Sequence, residues 1–173
     1  MSALADNMLD LARLEAGETR LERDVVDLAE LAQETSRRVA ALAAEKGLRV
    51  EVDVDGAARV IGDRLLLEQA VLILADNAIK YNAPGGEVVL RARRDNAQAQ
   101  LSVTDTGIGV GSEHLPRLGQ RFYRVDKARS RASGGAGLGI SIARGIAKSH
   151  GGSLEISSQP GKGTTATIAL PAA

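Results

Sequence analysis

The stretch DRLLLEQAVLILADNAIKYN, residues 63–82, decides the fold of this chain. Its centre, residues 70–75, is almost wholly apolar, and a helix that is apolar on all sides must lie deep in a structure. Asp63 is a suitable N-cap residue, and the glycine-rich run Asn82-Ala-Pro-Gly-Gly86 is a typical helix end. The stretch therefore predicts a buried helix over residues 64–82.

Three polar residues lie at the end of this predicted helix. Asn77 is followed by Lys80 three residues later and by Tyr81 four residues later, so the three side chains share one face. An amide oxygen is a suitable Mg²⁺ ligand, and a lysine can neutralise phosphate. The same triplet also fits a helix end that reaches solvent, and the spacing alone leaves both interpretations open.

Further helices and a sheet are predicted around this helix. Helical spacing and capping residues predict helices over residues 3–16, 28–47 and 137–149. Alternation of apolar and polar residues predicts strands over residues 48–54, 87–94, 98–104, 153–158 and 164–170. The predicted fold is α+β: a two-layer α/β sandwich whose mixed, largely antiparallel sheet carries helices on one face.

The first predicted helix has a narrow apolar seam. Leu4, Met8, Leu11 and Leu14 are spaced by four, three and three residues, as in a coiled coil, and Gly17 is a plausible stop. The seam is equally typical of one amphipathic helix that packs on its own domain. Two heptads do not separate these alternatives.

Composition excludes several classes of protein. The chain has 173 residues, no cysteine, two histidines and a net charge of zero. These values exclude a disulfide scaffold and a cysteine nucleophile, leave little for a histidine-rich metal site, and argue against electrostatic binding to nucleic acid or anionic membrane. The sequence offers neither a membrane span nor a signal peptide.

Three glycine clusters are candidate phosphate-binding loops. They are Asp105-Thr-Gly107-Ile-Gly109, Gly135-Ala-Gly137-Leu-Gly139 and Gly161-Lys-Gly163-Thr-Thr165. Glycine lets the backbone approach a ligand closely, and the second cluster also opens a helix, whose N-terminus attracts anions. Turns alone would explain such clusters too, above all the third. A P-loop and a dinucleotide-binding fingerprint are both absent.

A cationic loop separates the first two glycine clusters. Between residues 112 and 134, six arginine and lysine residues are opposed only by Glu113 and Asp126, so this segment of a neutral chain carries a net charge of about +4. Such a loop suits a polyphosphate, although a solvated surface loop would have a similar composition. Its length is typical of a lid or binding loop.

Taken in order, these motifs resemble the catalytic ATP-binding domain of sensor histidine kinases, from about residue 27 to residue 170. The matching boxes are Asp76–Tyr81 (N box), Asp105–Gly109 (G1), Arg121–Asp126 (F), Gly135–Gly139 (G2) and Gly161–Thr165. All three aromatic residues, Tyr81, Phe122 and Tyr123, lie within these boxes.

The resemblance implies a domain organisation. Residues 1–17 would be the C-terminal part of a dimerisation-bundle helix, residues 18–26 a linker, and residues 27–173 the ATP-binding domain with an ATP lid over residues 112–136. It also implies a role as the kinase module of a two-component system, which positions Mg-ATP for transfer of a phosphoryl group to a histidine.

The resemblance assigns roles residue by residue. Asn77 would ligate Mg²⁺, and Asp105 would accept a hydrogen bond from the amino group of adenine, which is sensible because a carboxylate only accepts. Arg124 and Lys127 would reach the terminal phosphate as the catalytic pair. The remaining nucleotide contacts would be Lys80, Tyr81, Gly107, Gly109, Gly137, Leu138, Gly139 and Thr165.

The chain departs from the family pattern in three ways. Ile73 stands where the family usually has a second asparagine, and Ala136 replaces a frequent threonine. Neither His114 nor His150 fits the phosphoacceptor pattern, and His150 better suits a helix C-cap. The implied partners are therefore the parent's own dimerisation and phosphoacceptor domain, outside this chain, and a response-regulator receiver domain, with a cytoplasmic location and a homodimeric parent.

Two other functions stay open. A related ATPase of the same superfamily would need an acidic base on the N-box helix, but Glu68 lies nine residues before Asn77 and the nearer position is Ile73. A non-enzymatic nucleotide-binding or interaction domain would also tolerate Ile73.

Overall fold

The computed structural model describes residues 3–125 and 137–173 as four α-helices and seven strands. The helices are α1 (Ala3–Glu15), α2 (Leu28–Glu45), α3 (Arg64–Lys80) and α4 (Gly139–Ser149), with a 3-10 turn at Leu115–Arg117. The strands are β1 (Asp24–Asp27), β2 (Arg49–Asp55), β3 (Arg59–Gly62), β4 (Glu87–Asp95), β5 (Gln98–Asp105), β6 (Ser153–Gln159) and β7 (Gly163–Pro171).

Five of these strands form one mixed sheet. Their order is β2-β4-β5-β7-β6, with a parallel pairing between β2 and β4 and antiparallel pairings elsewhere. Alternation gives each strand one apolar side, as in β4, where Leu90 is buried and Arg91 faces outward. Helices α2, α3 and α4 cover the apolar face. The predicted two-layer sandwich is confirmed.

Helix α3 lies in the core because apolar residues occupy most of its faces. Asp63 caps its start by accepting from the Leu66 N–H at 3.1 Å. At its other end the Lys46 ammonium donates to the carbonyls of Ile79 and Lys80 at 2.7 and 2.6 Å, which satisfies two carbonyl groups of the last turn. The helix thus ends at Lys80, two residues before the predicted end.

A second, two-stranded sheet was not predicted. Residues 18–26 were expected to be a linker, but strand β1 begins at Asp24 and pairs antiparallel with β3, which places Val26 opposite Val60. Both valines are buried. Each strand has only four residues, and such a short run is too brief for alternation to distinguish it from a loop.

Helix α1 packs on helix α4. Leu11 and Leu14 are buried, and their side chains lie 3.7 Å from the position that a Cβ atom would occupy at Gly145 of α4. Part of the apolar seam is therefore used within the chain, while Met8 stays 42% exposed. Assignment of residues 1–17 to a dimerisation bundle stays a prediction. No helix in the described part of the chain is long and apolar enough to cross a membrane.

Candidate functional site

The site is built around Asp105, a carboxylate at the end of the central strand β5. Its side chain is buried, and Oδ1 accepts from the Gly107 N–H at 2.8 Å. Burial raises the pKa of Asp105, while backbone hydrogen bonds from Gly107 and Thr164 act against that rise. Burial of the Asp105 charge costs free energy, and the hydrogen bond from Gly107 fixes the direction of the carboxylate. Such a group is a candidate for ligand binding.

Two positions in the turn after Asp105 have room only for glycine. A Cβ atom at Gly107 would overlap the carbonyl of Tyr81, the same carbonyl that accepts from the Ile108 N–H at 3.1 Å. At Gly109, with φ of 66°, a Cβ atom would overlap the carbonyl of Gln159. The G1 turn is therefore clamped between the end of α3 and the β6–β7 turn, and it holds Asp105 in place.

The polar end of α3 lies beside this turn. Asn77 is half-buried, and Tyr81 is 40% exposed. Lys80 forms an ion pair with Asp76, one helical turn earlier, at 2.6 Å. Tyr81 joins this end of the helix to the G1 turn through its carbonyl.

The start of α4 forms the other side of the site. Gly137 has φ of 74°, and its carbonyl accepts from the Phe122 N–H at 3.1 Å. A Cβ atom at Gly137 would lie 3.2 Å from Cγ of Arg124, and one at Gly139 would lie 3.0 Å from Ile73. The structure thus brings Gly137 beside Arg124, and Gly139 beside the α3 residue Ile73.

The side chain of Leu138, a predicted nucleotide contact, packs in the hydrophobic core instead. Its side chain is only 2% exposed and belongs to the hydrophobic core, because it stands at the N-cap of α4 and points beneath the helix. Only its backbone can face a ligand. The prediction of a nucleotide contact is limited to that backbone.

Thr165 is not brought to the site. Its hydroxyl lies 3.0 Å from that of Thr104 on the open face of the sheet, opposite to the face on which Asp105 is buried. The neighbouring Thr164 is in register with Asp105 instead, and its hydroxyl lies 2.7 Å from Oγ of Ser158. Alternation in β7, where Ala166 is buried, could have identified Thr164 from the sequence.

The described part of the lid is held against α4. Ser141 Oγ donates to the carbonyl of Gly119 at 2.8 Å, and an Arg144 N–H donates to the carbonyl of Leu118 at 2.9 Å. Phe122, in the left-handed region with φ of 63°, turns the chain back toward Gly137. Lys127 and the rest of the predicted lid from residue 126 to residue 136 lie outside the described residues.

His150 has a structural position. It is the C-cap of α4, its Nε2 accepts from the Asp63 N–H at 2.9 Å, and its Nδ1 lies 2.7 Å from the Ile146 carbonyl. This geometry requires the neutral imidazole with the proton on Nδ1. The side chain therefore fastens the end of α4 to the start of α3.

Comparison with known proteins decides the family. A family profile described as "Histidine kinase-, DNA gyrase B-, and HSP90-like ATPase" matches residues 62–173. The chain belongs to this family. The match includes the N, G1, F and G2 boxes, so this histidine-kinase-type ATPase domain is the one that the motifs predicted.

Individual relatives narrow the assignment within the family. The sensor-like histidine kinase SenX3 of Mycolicibacterium smegmatis is 36% identical over 171 residues, which are 99% of this chain and 44% of that protein. The phosphate regulon sensor protein PhoR of Pseudomonas aeruginosa is 41% identical over 167 residues, which are 96% of this chain and 38% of that protein. The chain thus spans less than half of the length of these relatives.

Solved structures agree with the sequence relatives. The full-length ShkA structure in complex with AMPPNP superposes with a TM-score of 0.87 at 29% identity, over 99% of this chain and 35% of that one. The mycobacterial sensor histidine kinase MprB gives a TM-score of 0.75 at 32% identity, over 87% of this chain and 98% of that one. The predictions of a sensor-histidine-kinase catalytic domain and of its ATPase fold are confirmed.

Proposed function

We propose that this domain binds Mg-ATP and transfers the terminal phosphoryl group to a histidine in the acceptor segment of its parent protein. The observation that carries the proposal is the buried carboxylate of Asp105, oriented by Gly107 at the end of a glycine-lined turn. Burial of this charge lowers the stability of the domain, so a ligand that needs an acceptor here explains its presence.

Adenine fits the chemistry of this end of the site. An ionised carboxylate only accepts hydrogen bonds, and adenine offers an amino group where guanine offers an oxygen. Gly107 and Gly109 hold the turn beside that acceptor in close contact with the Tyr81 and Gln159 carbonyls, which fixes the direction of the carboxylate. We assign the base to Asp105, Gly107 and Gly109 together.

Phosphate fits the opposite end. Helix α4 begins at Gly139 after the N-cap Leu138, with no side-chain cap, and the N-terminus of a helix presents N–H groups that attract anions. Arg124 adjoins Gly137, and its guanidinium is suited to a terminal phosphate. Lys80 would contact phosphate by exchanging its ion pair with Asp76, and Lys127 is proposed as a second cation from the lid.

Magnesium is proposed at Asn77. Within residues 3–125 and 137–173 no cluster of three or more His, Asp or Glu side chains could hold a metal ion. Mg²⁺ commonly keeps several waters and takes one or two protein ligands beside phosphate oxygens, so the one amide oxygen of Asn77 fits this mode. Ile73, one turn earlier, supplies no second ligand and packs toward Gly139 instead.

Phosphoryl transfer requires mainly positioning and neutralisation of charge from a protein. When bound, ATP supplies the phosphoryl group: the bond from the γ-phosphorus to the bridging oxygen breaks, ADP leaves, and a bond to the histidine nitrogen forms. Asp105 fixes the base, the α4 N-terminus orients the phosphates, and Arg124 neutralises charge at the transferred group. The acceptor domain, a receiver domain of a response regulator, a homodimeric parent and a cytoplasmic location belong to the same proposal.

Hydrolysis to a free phosphate is the less favoured function. Glu68, nine residues before Asn77 on α3, lies 2.5 Å from a guanidinium nitrogen of Arg38 on α2. Asp76, which directly precedes Asn77, is paired with Lys80 at 2.6 Å. The Arg38 ion pair directs the Glu68 carboxylate toward α2 and away from the proposed phosphate position at the start of α4. The geometry therefore favours transfer over hydrolysis.

Titration with the fluorescent analogue TNP-ATP, with and without EDTA, tests the proposal. We expect saturable binding that ATP displaces and that EDTA weakens. Asp105→Asn should weaken it about 10- to 100-fold, whereas Asp53→Asn on the open sheet face should leave it unchanged. Absence of binding at millimolar Mg-ATP would refute the proposal. Addition of a purified acceptor segment with γ-labelled ATP then distinguishes transfer, which labels the segment, from hydrolysis, which releases phosphate.

A further inference from the structure

A group of four polar and aromatic side chains lies in the described part of the lid, outside the residues assigned above. We call it the lid-base cluster and define it as Glu113, His114, Arg117 and Tyr123. Its members are partly exposed, so it is not part of the hydrophobic core. Each nevertheless has a specific partner within the cluster.

Tyr123 is the centre of the lid-base cluster. Its hydroxyl lies 2.5 Å from Nδ1 of His114, and the Arg117 guanidinium carbon lies 4.3 Å from the centre of its ring. On the other side of the imidazole, Nε2 of His114 lies 3.4 Å from a carboxylate oxygen of Glu113. The ring is therefore held by a short hydrogen bond at its tip and by a cation–π contact on its face.

The backbone around Tyr123 is fixed as well. Its N–H donates to the Gln120 carbonyl at 3.1 Å, and the preceding Phe122 is held in a left-handed conformation by its bond to Gly137. A left-handed conformation is unfavourable for a bulky residue and persists only where the surroundings impose it. Side-chain contacts on Tyr123 are one such constraint, because they fix the direction in which the chain leaves residue 123.

The next residue along the chain is Arg124, whose Cγ packs beside Gly137 at the start of α4. We propose that His114 and Tyr123 are positioning residues: their hydrogen bond directs the Arg124 guanidinium to the terminal phosphate and thereby sets the preference of the domain for ATP over ADP. This inference rests on the proposed function, since it requires that Arg124 contacts the terminal phosphate.

The inference makes a selective prediction. Loss of the His114–Tyr123 bond should weaken the contact of Arg124 with the terminal phosphate, which ATP has and ADP lacks. Contacts with the adenine base should stay unchanged. A merely structural role would weaken both nucleotides equally. The ratio of the dissociation constants for Mg-ADP and Mg-ATP therefore reports on positioning, and overall affinity does not.

Competition of Mg-ATP and Mg-ADP against TNP-ATP measures this ratio in the full chain. We expect Tyr123→Phe, which keeps the ring under Arg117, and His114→Ala each to lower the ADP/ATP ratio about three- to tenfold, as for loss of one hydrogen bond. The double variant should lose no more than the larger single loss, because both changes remove the same bond. His114→Asn places an amide near the position of Nδ1 and should restore at least half of the ratio.

Arg124→Ala is the reference variant, and its ratio should fall to the lowest value of the series. If Arg124→Ala loses the preference but Tyr123→Phe and His114→Ala keep it, or if these variants weaken ATP and ADP equally, the positioning role is overturned while the proposed function stands. A wild-type chain that binds neither nucleotide overturns both. Circular dichroism of each variant verifies that the fold is intact.

Discussion

The two ends of the site are constructed in different ways. At the proposed adenine end, Asp105 and the G1 turn are fixed by backbone groups on three sides: the Tyr81 carbonyl, the Gln159 carbonyl and the Thr164 N–H. At the proposed phosphate end, the lid is held by the backbone bond from Phe122 to Gly137 and by side chains, such as Ser141 and Arg144, that reach its carbonyls. Contacts between backbone groups stay in place when a side chain is substituted, whereas contacts made by side chains are lost. We therefore expect substitutions to alter the geometry of the phosphate end more readily than that of the adenine end.

Replacement of Gly109 by alanine should have the largest effect. Its Cβ would overlap the Gln159 carbonyl, and its φ of 66° disfavours any side chain. The strain and the overlap together should lower the free energy of unfolding by about 2–4 kcal/mol, measured by urea denaturation.

Gly161→Ala is the matched control. Gly161 has φ of 74°, but nothing lies within 4 Å of its Cβ position. In this variant the free energy of unfolding should fall only by the cost of a left-handed alanine, about 1–2 kcal/mol. Equal losses in both variants would mean that crowding by the backbone does not define the adenine end.

Asp105→Asn should have the next largest effect, and on binding rather than folding. Loss of a charged acceptor for the adenine amino group should weaken Mg-ATP about 10- to 100-fold, measured by TNP-ATP competition. Asp53→Asn, on the open face of the sheet, should leave affinity unchanged.

The same variant has a pH signature. Because burial raises the pKa of Asp105 in the folded state, the folded protein binds a proton more tightly than the unfolded one. The wild type therefore loses stability as pH rises from about the ordinary value of 3.8 through the raised pKa, and Asp105→Asn should not. Stability curves of the two proteins between pH 4 and pH 8 should diverge in favour of the variant; parallel curves would contradict this burial cost.

The difference between the two ends also explains what the sequence could predict. Backbone-constrained glycines such as Gly107 and Gly109 repeat in a recognisable spacing, and Asp105 precedes them at the end of an alternating strand, so this end could be identified. The buried Ala166 indicates which of Thr164 and Thr165 faces the site. A shift of one residue exchanges the two faces of a strand, and a glycine motif does not specify that register. Strands β1 and β3, and the His114–Tyr123 bond, form between segments that no local pattern relates.

Ser141→Ala tests how the lid is held. Removing the hydroxyl that donates to Gly119 should lower the free energy of unfolding by about 1 kcal/mol and weaken ATP more than ADP, since the lid faces the phosphates. Ser149→Ala, at the other end of α4, removes a hydroxyl that donates to Ile146 and is the control. A similar effect of the two variants on ATP would show that α4 itself, and not the lid contact, is responsible.

The smallest effect should come from Glu15, which forms an ion pair with Arg121 and so joins the end of α1 to the F box. Both side chains are about half exposed, with 47% and 50% of their surface accessible, so water screens the attraction. Glu15→Gln should therefore lower the free energy of unfolding by less than about 0.5 kcal/mol and should change the ATP affinity less than twofold at 0.15 M salt. An effect of tenfold or more on ATP affinity, which disappears at 1 M salt, would mean that α1 holds the lid electrostatically. The phosphate end would then be fixed by α1 as well as by α4, and the contrast with the adenine end would narrow.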